Sequence, residues 1–274
     1  MSAKFLCAFG SVWATTADSS KCPGQRSRAH EVNPHLLGAA SMIQLTRVGT
    51  TFSGSPEDLD RLRSEFDRQH WIRLSKLLDP ELLQLILHRI EQADFLQRTH
   101  KGVGVEVCMA DKITWGLLHF VSNDPKLFQI IQEITRCGPI GCFDGRVYRM
   151  VPGEGHYDSW HDDLGNNRLM ALSINMSAGV YTGGVLEMRD VESGRIIAEV
   201  ANTGLGDGIL FRLSERLEHR VTQVVGTVPK TAFAGWFRSQ PDFHGILRER
   251  RSSLERQSIE TPPDPLGRAL ARPD

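Results

Sequence analysis

Cysteine is sparse in this sequence and unpaired in spacing. Five cysteines are spread over 274 residues, and none belongs to a CxxC motif. An odd number without close spacing argues against a disulfide framework and against a thiolate zinc site. A reducing compartment, and hence a cytoplasmic location, is the simpler expectation.

Long apolar runs and an excess of charge of either sign are also missing. No uncharged apolar run approaches the roughly 20 residues that a membrane-spanning helix needs. The opening MSAKFLCAFGSVWA imitates a signal peptide only weakly, because Gly10 and Ser11 interrupt its short apolar stretch. The formal net charge is −1, which gives no general attraction to nucleic acid or to an anionic membrane. The composition therefore predicts neither partner.

The first 140 residues divide into an extension and a helical region. Residues 1–54 show no sustained hydrophobic period, and we predict a poorly ordered N-terminal extension there. Helix starts follow at Ser55, Asp79 and Asp124, each a good N-cap with a proline at the next position. Together with a strand in HWIRLSKLL, these helices form a predicted supporting region over residues 55–140.

The pattern changes after residue 140. Short runs rich in Val, Ile, Leu and Phe alternate with glycine-containing turns, without helical segments between them. Strands at this spacing are typical of an antiparallel sandwich or barrel. We therefore predict a mainly β fold with an N-terminal helical region, a single domain over 55–240 with its β core at 141–240, and a charged, proline-containing tail at 241–274.

A candidate metal site lies in SWHDDLGNN. In a strand, residues i and i+2 point to the same side, so His161 and Asp163 would aim an imidazole and a carboxylate at one point. His219 opens another predicted strand and offers a third ligand. Two histidines and one carboxylate form the facial triad that suits non-haem Fe(II). A solvated loop between strands is the alternative interpretation of the same residues.

The sequence around this triplet resembles the 2-oxoglutarate-dependent Fe(II) dioxygenases, and within them the prolyl-hydroxylase branch. The shared elements appear in the family's order from residue 145 onward. They are Pro152-Gly153, His161 with Asp163, Ser173-Ile174-Asn175, Gly183-Gly184, His219-Arg220-Val221, and Lys230 before Trp236. The resemblance covers about residues 55 to 240 and implies a double-stranded β-helix, or jelly-roll, core.

The resemblance also implies cofactors and their ligands. It implies Fe(II) at His161, Asp163 and His219, 2-oxoglutarate and O2 as cosubstrates, and ascorbate as a possible reductant. Lys230 matches the basic residue that anchors the distal carboxylate of 2-oxoglutarate in this family. Family members often supply a tyrosine from the strand before Pro-Gly, and Tyr148 lies on the same face but two residues upstream of that position, which is Met150 here. Ser173 occupies a place where prolyl hydroxylases can have a tyrosine that binds 2-oxoglutarate.

Asp163 bears on the reaction. Halogenating relatives have a small residue at the carboxylate position, whereas this sequence keeps the acid. The resemblance therefore implies hydroxylation, or another two-electron oxidation such as desaturation, with succinate and CO2 as co-products. Both reactions stay open.

The substrate is not indicated by the sequence, and neither is the oligomeric state. A small molecule and a peptide remain equally compatible with the resemblance. We expect loops at the mouth of the barrel to set specificity, in HKGVGVEVCMADKITWG and in GEGHYDSW. The candidate substrate contacts are Arg146, Tyr157, Trp160 and Trp115.

Two other functions fit parts of the pattern. A double-stranded β-helix could bind a ligand or partner without turnover, although the complete triplet and Lys230 argue against this. A cupin-like metalloenzyme, such as an isomerase, would favour HxH with a nearby glutamate rather than HDD. Iron binding separates the dioxygenase from the binding module, and dependence on 2-oxoglutarate separates it from the cupin.

Overall fold

The computed structural model describes residues 42–241, except 166, 202 and 203. The helices in this part are α1 (Pro56–Gln69), α2 (Pro80–Gln92), α3 (Lys112–Ser122) and α4 (Pro125–Thr135). The strands are β1 (Ile43–Thr46), β2 (Gly49–Phe52), β3 (Trp71–Leu74), β4 (Phe95–His100), β5 (Gly104–Met109), β6 (Cys142–Met150), β7 (Tyr157–Asp158), β8 (Arg168–Asn175), β9 (Thr182–Gly183), β10 (Leu186–Asp190), β11 (Ile196–Val200), β12 (Gly208–Arg212), β13 (Leu217–Val221), β14 (Val224–Val225) and β15 (Lys230–Arg238).

The helices begin where their capping residues predict. Ser55 and Asp58 form a reciprocal capping box at the start of α1. The side chains of Asp79 and Asp124 accept hydrogen bonds from the first-turn amides of α2 and α4. Helix α3 was not predicted, and Asp111 caps it in the same way. None of the helices in the described part has the length and apolar character needed to cross a bilayer.

The folded domain begins earlier than residue 55. Strands β1 and β2 form an antiparallel hairpin within the predicted extension. Ile43 and Leu45 are buried in the main hydrophobic core, and the amide of Thr50 donates a hydrogen bond to Asp124 beside the first turn of α4. Burial of these side chains explains why a segment without a long hydrophobic period is nonetheless ordered. Residues 1–41 and 242–274 lie outside the described residues.

The largest sheet is antiparallel and has the strand order β3-β12-β8-β15-β6-β5-β4, with β7 added beside β5. Side chains alternate between its two faces. On one face, residues such as Ile174, Phe233 and Phe237 join the hydrophobic core, which also contains Phe66 of α1 and Leu127 of α4. The helices therefore cover one face of the sheet, and the opposite face is not part of this core.

The opposite face meets a second sheet of order β11-β10-β13. A smaller apolar cluster joins the two sheets and includes Phe211 from the large sheet and Met188 from the small one. Strands β9 and β14 form a further antiparallel pair. Two facing antiparallel sheets of this kind are the architecture of a jelly roll, so the predicted fold class is confirmed.

The supporting region is less helical than the sequence indicates. Strands β4 and β5 extend the large sheet by pairing with each other and with β6. The segment HKGVGVEVCMADKITWG is thus not a loop at the mouth. It contributes β5 and the start of α3 instead. Gly102 directly precedes the short run from Val103 to Met109, and Gly104 interrupts it. The two glycines obscure the strand pattern.

Candidate active site

The three predicted metal ligands come together at the open edge between the sheets. Donor atoms of His161, Asp163 and His219 all lie within 4.8 Å of one another. Asp163 Oδ2 is 3.5 Å from His161 Nε2 and 3.3 Å from His219 Nε2. The two histidines also form an antiparallel backbone bridge, with hydrogen bonds of 3.1 and 2.8 Å. The bridge holds both imidazoles on one side of the chain.

Asp163 reaches this point by a different route from the one predicted. It lies after the bridge in an irregular loop, and its φ is +56°, in the left-handed region. Strand alternation therefore does not apply to the pair. Aspartate tolerates the left-handed conformation better than most residues do, and the turn directs its carboxylate back toward the imidazoles. Asp163 is therefore a loop residue whose carboxylate nonetheless faces the two imidazoles, and its role as a metal ligand stays a prediction.

Two neighbouring side chains fix the Asp163 carboxylate. Trp236 Nε1 donates a hydrogen bond to Asp163 Oδ2 at 2.8 Å. Arg168 Nη1 donates to Asp163 Oδ1 at 2.8 Å and to the Asp163 carbonyl oxygen at 3.1 Å. The Arg168 guanidinium stacks over the Trp236 ring, 3.7 Å from its centroid. The carboxylate is therefore held in one orientation by a charged and a neutral donor.

The imidazole of His161 is oriented by its other nitrogen. His161 Nδ1 lies 2.7 Å from the carbonyl oxygen of Ser159. A carbonyl can only accept, so Nδ1 donates to it, and Nε2 is directed toward Asp163. Metal-binding histidines are commonly held in this manner.

The electrostatics of the triplet fit a divalent cation. Burial alone would raise the pKa of Asp163, but hydrogen bonds from His161 and His219 outweigh burial and hold it well below its usual range. Burial lowers the pKa of His161, whereas the hydrogen bond and charge of Asp163 raise it to about 9. The pocket thus favours a positive charge next to the carboxylate, and two imidazoles with one carboxylate are a donor set that suits Fe(II).

Lys230 occupies the interior end of the same cavity. It is 7% exposed, and its Nζ donates a hydrogen bond to the carbonyl oxygen of Gly184 at 2.8 Å. Gly184 has a φ of +60°, and a Cβ there would lie 2.8 Å from the Tyr181 ring and 3.0 Å from Lys230 Cδ. Burial lowers the pKa of Lys230 to about 8, although the charge of Asp158 opposes this. A buried ammonium with one protein acceptor is suited to an anionic ligand.

The other predicted cosubstrate contacts line this cavity. Ala232 and Ala234 follow Lys230 on its face of β15, opposite Tyr148 and Ser173 on the neighbouring strands. Burial raises the pKa of Tyr148 well above its ordinary value, so its hydroxyl stays protonated and able to donate. The whole cavity, from Lys230 past the triplet to the surface, has a volume of about 1920 Å³.

Three of the four predicted substrate contacts line the cavity. Tyr157 and Trp115 lie at its rim, each with 48% of its surface exposed. Arg146 lies deeper, where it donates to Glu106 Oε1 from Nε at 2.9 Å and from Nη2 at 2.8 Å. His100 Nε2 is 3.1 Å from Arg146 Nη2. Arg146 therefore already has a carboxylate partner.

Trp160 lies apart from the other three predicted substrate contacts, and the structure does not support its role as one of them. Its neighbour His161 points into the cavity, and successive side chains of an extended chain point to opposite sides. Trp160 lies outside the cavity lining, between the guanidinium groups of Arg189 and Arg220 at 4.4 and 4.6 Å from the ring. These arginines pair with Glu218 and Glu187 across β10 and β13. We call Trp160, Arg189 and Arg220 the outer cluster.

Apart from Arg146, sequence reasoning missed the corresponding group inside the cavity. Three guanidinium groups lie around Trp236, those of Arg168 at 3.7 Å, Arg146 at 5.6 Å and Arg238 at 5.7 Å from the ring centroid. We call these four residues the inner cluster. Alternation along β15 and β6 would place Trp236, Arg146 and Arg238 near the cavity, but no local signal identifies Arg168.

Comparison with known proteins decides the family. Residues 145–238 match the family model described as the 2OG-Fe(II) oxygenase superfamily. This segment contains the triplet, Lys230 and the whole inner cluster. This part of the chain is similar to the 2OG-Fe(II) oxygenase superfamily. The recognition made from the sequence is therefore confirmed, and the chain is an oxygenase dependent on Fe(II) and 2-oxoglutarate.

Solved structures share the fold of this oxygenase. A prolyl-4-hydroxylase from Pseudomonas putida is 16% identical with a TM-score of 0.50, over 66% of this chain and 99% of that one. An oxidoreductase of the 2OG-Fe(II) oxygenase family from Burkholderia pseudomallei is 13% identical, over 69% and 94%, with a TM-score of 0.48. A prolyl hydroxylase from Trichoplax adhaerens is 11% identical, over 77% and 99%, with a TM-score of 0.48. No curated protein sequence matches the chain significantly.

Proposed function

We propose that this oxygenase hydroxylates an unactivated C–H bond of a small molecule or a peptidyl residue. In this reaction one oxygen atom of O2 enters the product and the other enters succinate, while 2-oxoglutarate loses CO2. The observation that carries the proposal is the meeting of His161, Asp163 and His219 with the buried Lys230 on the walls of one cavity. Ascorbate as a reductant and a cytoplasmic location stay predictions.

His161, Asp163 and His219 would hold Fe(II). The proton on His161 Nδ1 is directed to Ser159, so Nε2 is free to bind. The Asp163 carboxylate stays ionised and is oriented by Trp236. Bound Fe(II) together with 2-oxoglutarate supplies the activation of O2 for a two-electron oxidation. Retention of the Asp163 carboxylate supports hydroxylation or desaturation over halogenation.

Lys230 would bind the distal carboxylate of 2-oxoglutarate. Among the described residues its ammonium group has one hydrogen-bond acceptor, the Gly184 carbonyl oxygen, and a carboxylate would supply a second acceptor and offset the cost of burial. The small side chains of Ala232 and Ala234 leave space beside it, and the hydroxyl groups of Tyr148 and Ser173 face the same space. These residues orient the cosubstrate and exclude water from it.

The experiment that tests this function is anaerobic titration with Fe(II), with and without 2-oxoglutarate, followed by the weak visible charge-transfer band of the chelate. We expect a band that needs both components, weakens strongly in Lys230→Ala and persists in Lys112→Ala. Lys112 is a matched control, because it also lines the cavity but begins α3 at the surface. A folded wild-type protein without a band would contradict the proposal and favour a non-catalytic binding module.

A further inference from the structure

The inner cluster brings three positive charges to one wall of the cavity. Arg146 pairs with Glu106, and Arg238 donates to Asp144 Oδ2 at 3.0 Å. Arg168 pairs with Asp163, the residue that a metal ion would share. Binding of a divalent cation at Asp163 would therefore leave Arg168 without a full neutralising charge.

The donors of Arg168 are incompletely used. Within the described residues, both of its hydrogen bonds come from Nη1 and end on Asp163. Its Nε is buried and has no hydrogen-bond partner within the described residues. A buried unsatisfied donor of a charged group is costly, and the Arg168 side chain lines the cavity. This guanidinium is therefore suited to an anionic ligand that adds negative charge beside it. The guanidinium group also stacks over the Trp236 ring, 3.7 Å from its centroid.

The net charge of the cavity wall also favours an anionic ligand. The proposed iron, the Asp163 carboxylate, 2-oxoglutarate and Lys230 together have a net charge of zero. Histidines aside, five cationic and three anionic residues then remain in the lining, namely Arg98, Lys112, Arg146, Arg168 and Arg238 against Glu106, Asp144 and Asp158. The chain as a whole has a net charge of −1, so this local excess is not a general property of the protein.

We propose, resting on the proposed function, that the substrate carries a carboxylate or phosphate group and that Arg168, stacked on Trp236, binds this anion. The other two arginines of the inner cluster add attraction without giving up their own acidic partners. Since Arg168 is hydrogen-bonded to Asp163, the anionic group lies beside the metal ligands, and the oxidised carbon is close to that group in the substrate.

Matched probes test this inference on the full-length chain. The anaerobic protein, loaded with Fe(II) and 2-oxoglutarate, is titrated calorimetrically with 3-phenylpropanoate, its neutral amide and phenyl phosphate. The phenyl group of each probe is chosen to contact the apolar rim, where Trp115 and Phe120 are exposed. We expect wild type to bind at least one anion about 10-fold or more tightly than the amide, as charge-assisted hydrogen bonds allow. Preference for carboxylate or phosphate identifies the anion.

Variants locate the effect. Arg168→Gln should remove the preference for the anion, and Arg168→Lys should keep part of it, because an ammonium lacks the planar fork. Arg220→Gln is the matched control, since Arg220 also stacks on a tryptophan but lies outside the cavity. It should leave the preference unchanged. Equal binding of anion and amide by wild type, or an unchanged preference in Arg168→Gln, would overturn the inference.

Further outcomes of these titrations separate this inference from the proposed function. If the anions bind only when 2-oxoglutarate is left out, they occupy the cosubstrate site and the inference is wrong. If Arg168→Gln weakens the affinity for 2-oxoglutarate but leaves the affinities for the probes unchanged, the inference is also wrong. If the charge-transfer band is absent from wild type, the proposed function fails, and probe titration of the metal-free protein still shows whether Arg168 selects anions.

Discussion

The inner and outer clusters are built from the same residue types but differ in what surrounds them. In the outer cluster, each arginine pairs with a glutamate directly across an antiparallel ladder, Arg189 with Glu218 and Arg220 with Glu187. Their side chains remain 32% and 37% exposed. The charges are balanced within the sheet, and both guanidinium groups lie against the Trp160 ring.

In the inner cluster the balance depends on a residue with a second role. Trp236 and Arg168 both donate to Asp163, whose carboxylate also faces His161 and His219. An arginine–tryptophan stack therefore stabilises a surface in one place and orients a candidate ligand in the other. The position of the stack, inside or outside the cavity, decides which, and residue type alone does not.

Removal of an acidic partner of each cluster should give the largest contrast in metal affinity. Asp163→Ala removes a proposed metal ligand, and we expect affinity for Fe(II) to fall by more than the roughly 10- to 100-fold that loss of a ligand's supporting partner costs. Glu218→Ala removes an exposed ion pair and should leave metal affinity unchanged. Anaerobic calorimetry of both variants measures this. Equal metal binding by Asp163→Ala and wild type would remove the distinction between the clusters.

Replacement of each tryptophan should give the next largest contrast. Trp236→Phe keeps the aromatic face but loses the indole N–H that fixes Asp163. We expect metal affinity to fall about 10-fold, as for other partners that orient ligands. Trp160→Phe should alter metal binding in no measurable way and should instead lower the free energy of unfolding by less than about 1 kcal/mol.

If Trp160→Phe weakened metal binding as much as Trp236→Phe, the ring next to His161 would matter more than the hydrogen bond to Asp163. Thermal unfolding of both variants, measured without metal, would show whether a general loss of stability explains such a result.

The sequence was most informative where function requires residue types in a fixed order. His161, Asp163, His219 and Lys230 were all identified from their order along the chain, and the structure brings them to one cavity. Their roles as ligands stay predictions. The helix starts at Ser55 and Asp79 were visible because capping is a local interaction.

Contacts that depend on distant strands were not visible. Arg168 reaches Asp163 across a turn whose left-handed residue no pattern revealed. Trp160 was predicted as a substrate contact because GEGHYDSW was expected to lie at the mouth of the barrel, but its position next to His161 directs it away from the cavity. Hairpin β1–β2 is stabilised by burial against elements far along the chain, which no local period reports.

A buried cation of the cavity should respond to pH where an exposed one does not. Lys230 has a pKa lowered to about 8 by burial, with Asp158 opposing it. Below that pH the ammonium is charged and ready for a carboxylate. Above it, binding must take up a proton, so the dissociation constant for 2-oxoglutarate should rise about 10-fold from pH 7 to pH 9. Nearby Tyr181, with a pKa raised to about 12, stays neutral over this range.

Lys230→Arg is the control for this pH effect, because a guanidinium remains charged throughout. Anaerobic calorimetry of Mn(II)-loaded protein at both pH values gives the dissociation constants, and the ratio between wild type and variant removes the pH dependence of the metal itself. A variant with the same loss of affinity as wild type would show that another group titrates.

The smallest effect should come from the charges of the outer cluster. Arg220 and Glu187 form a partly exposed pair with Nε and Oε2 2.7 Å apart. A double-mutant cycle with Arg220→Ala and Glu187→Ala should give a coupling free energy below about 1 kcal/mol, because such pairs gain little over solvation. The coupling, measured by urea unfolding, should fall further in 1 M salt, where charges are screened within about 3 Å. A coupling of several kcal/mol that resists salt would mean that the outer cluster is as strongly organised as the inner one, and exposure would then not be what separates them.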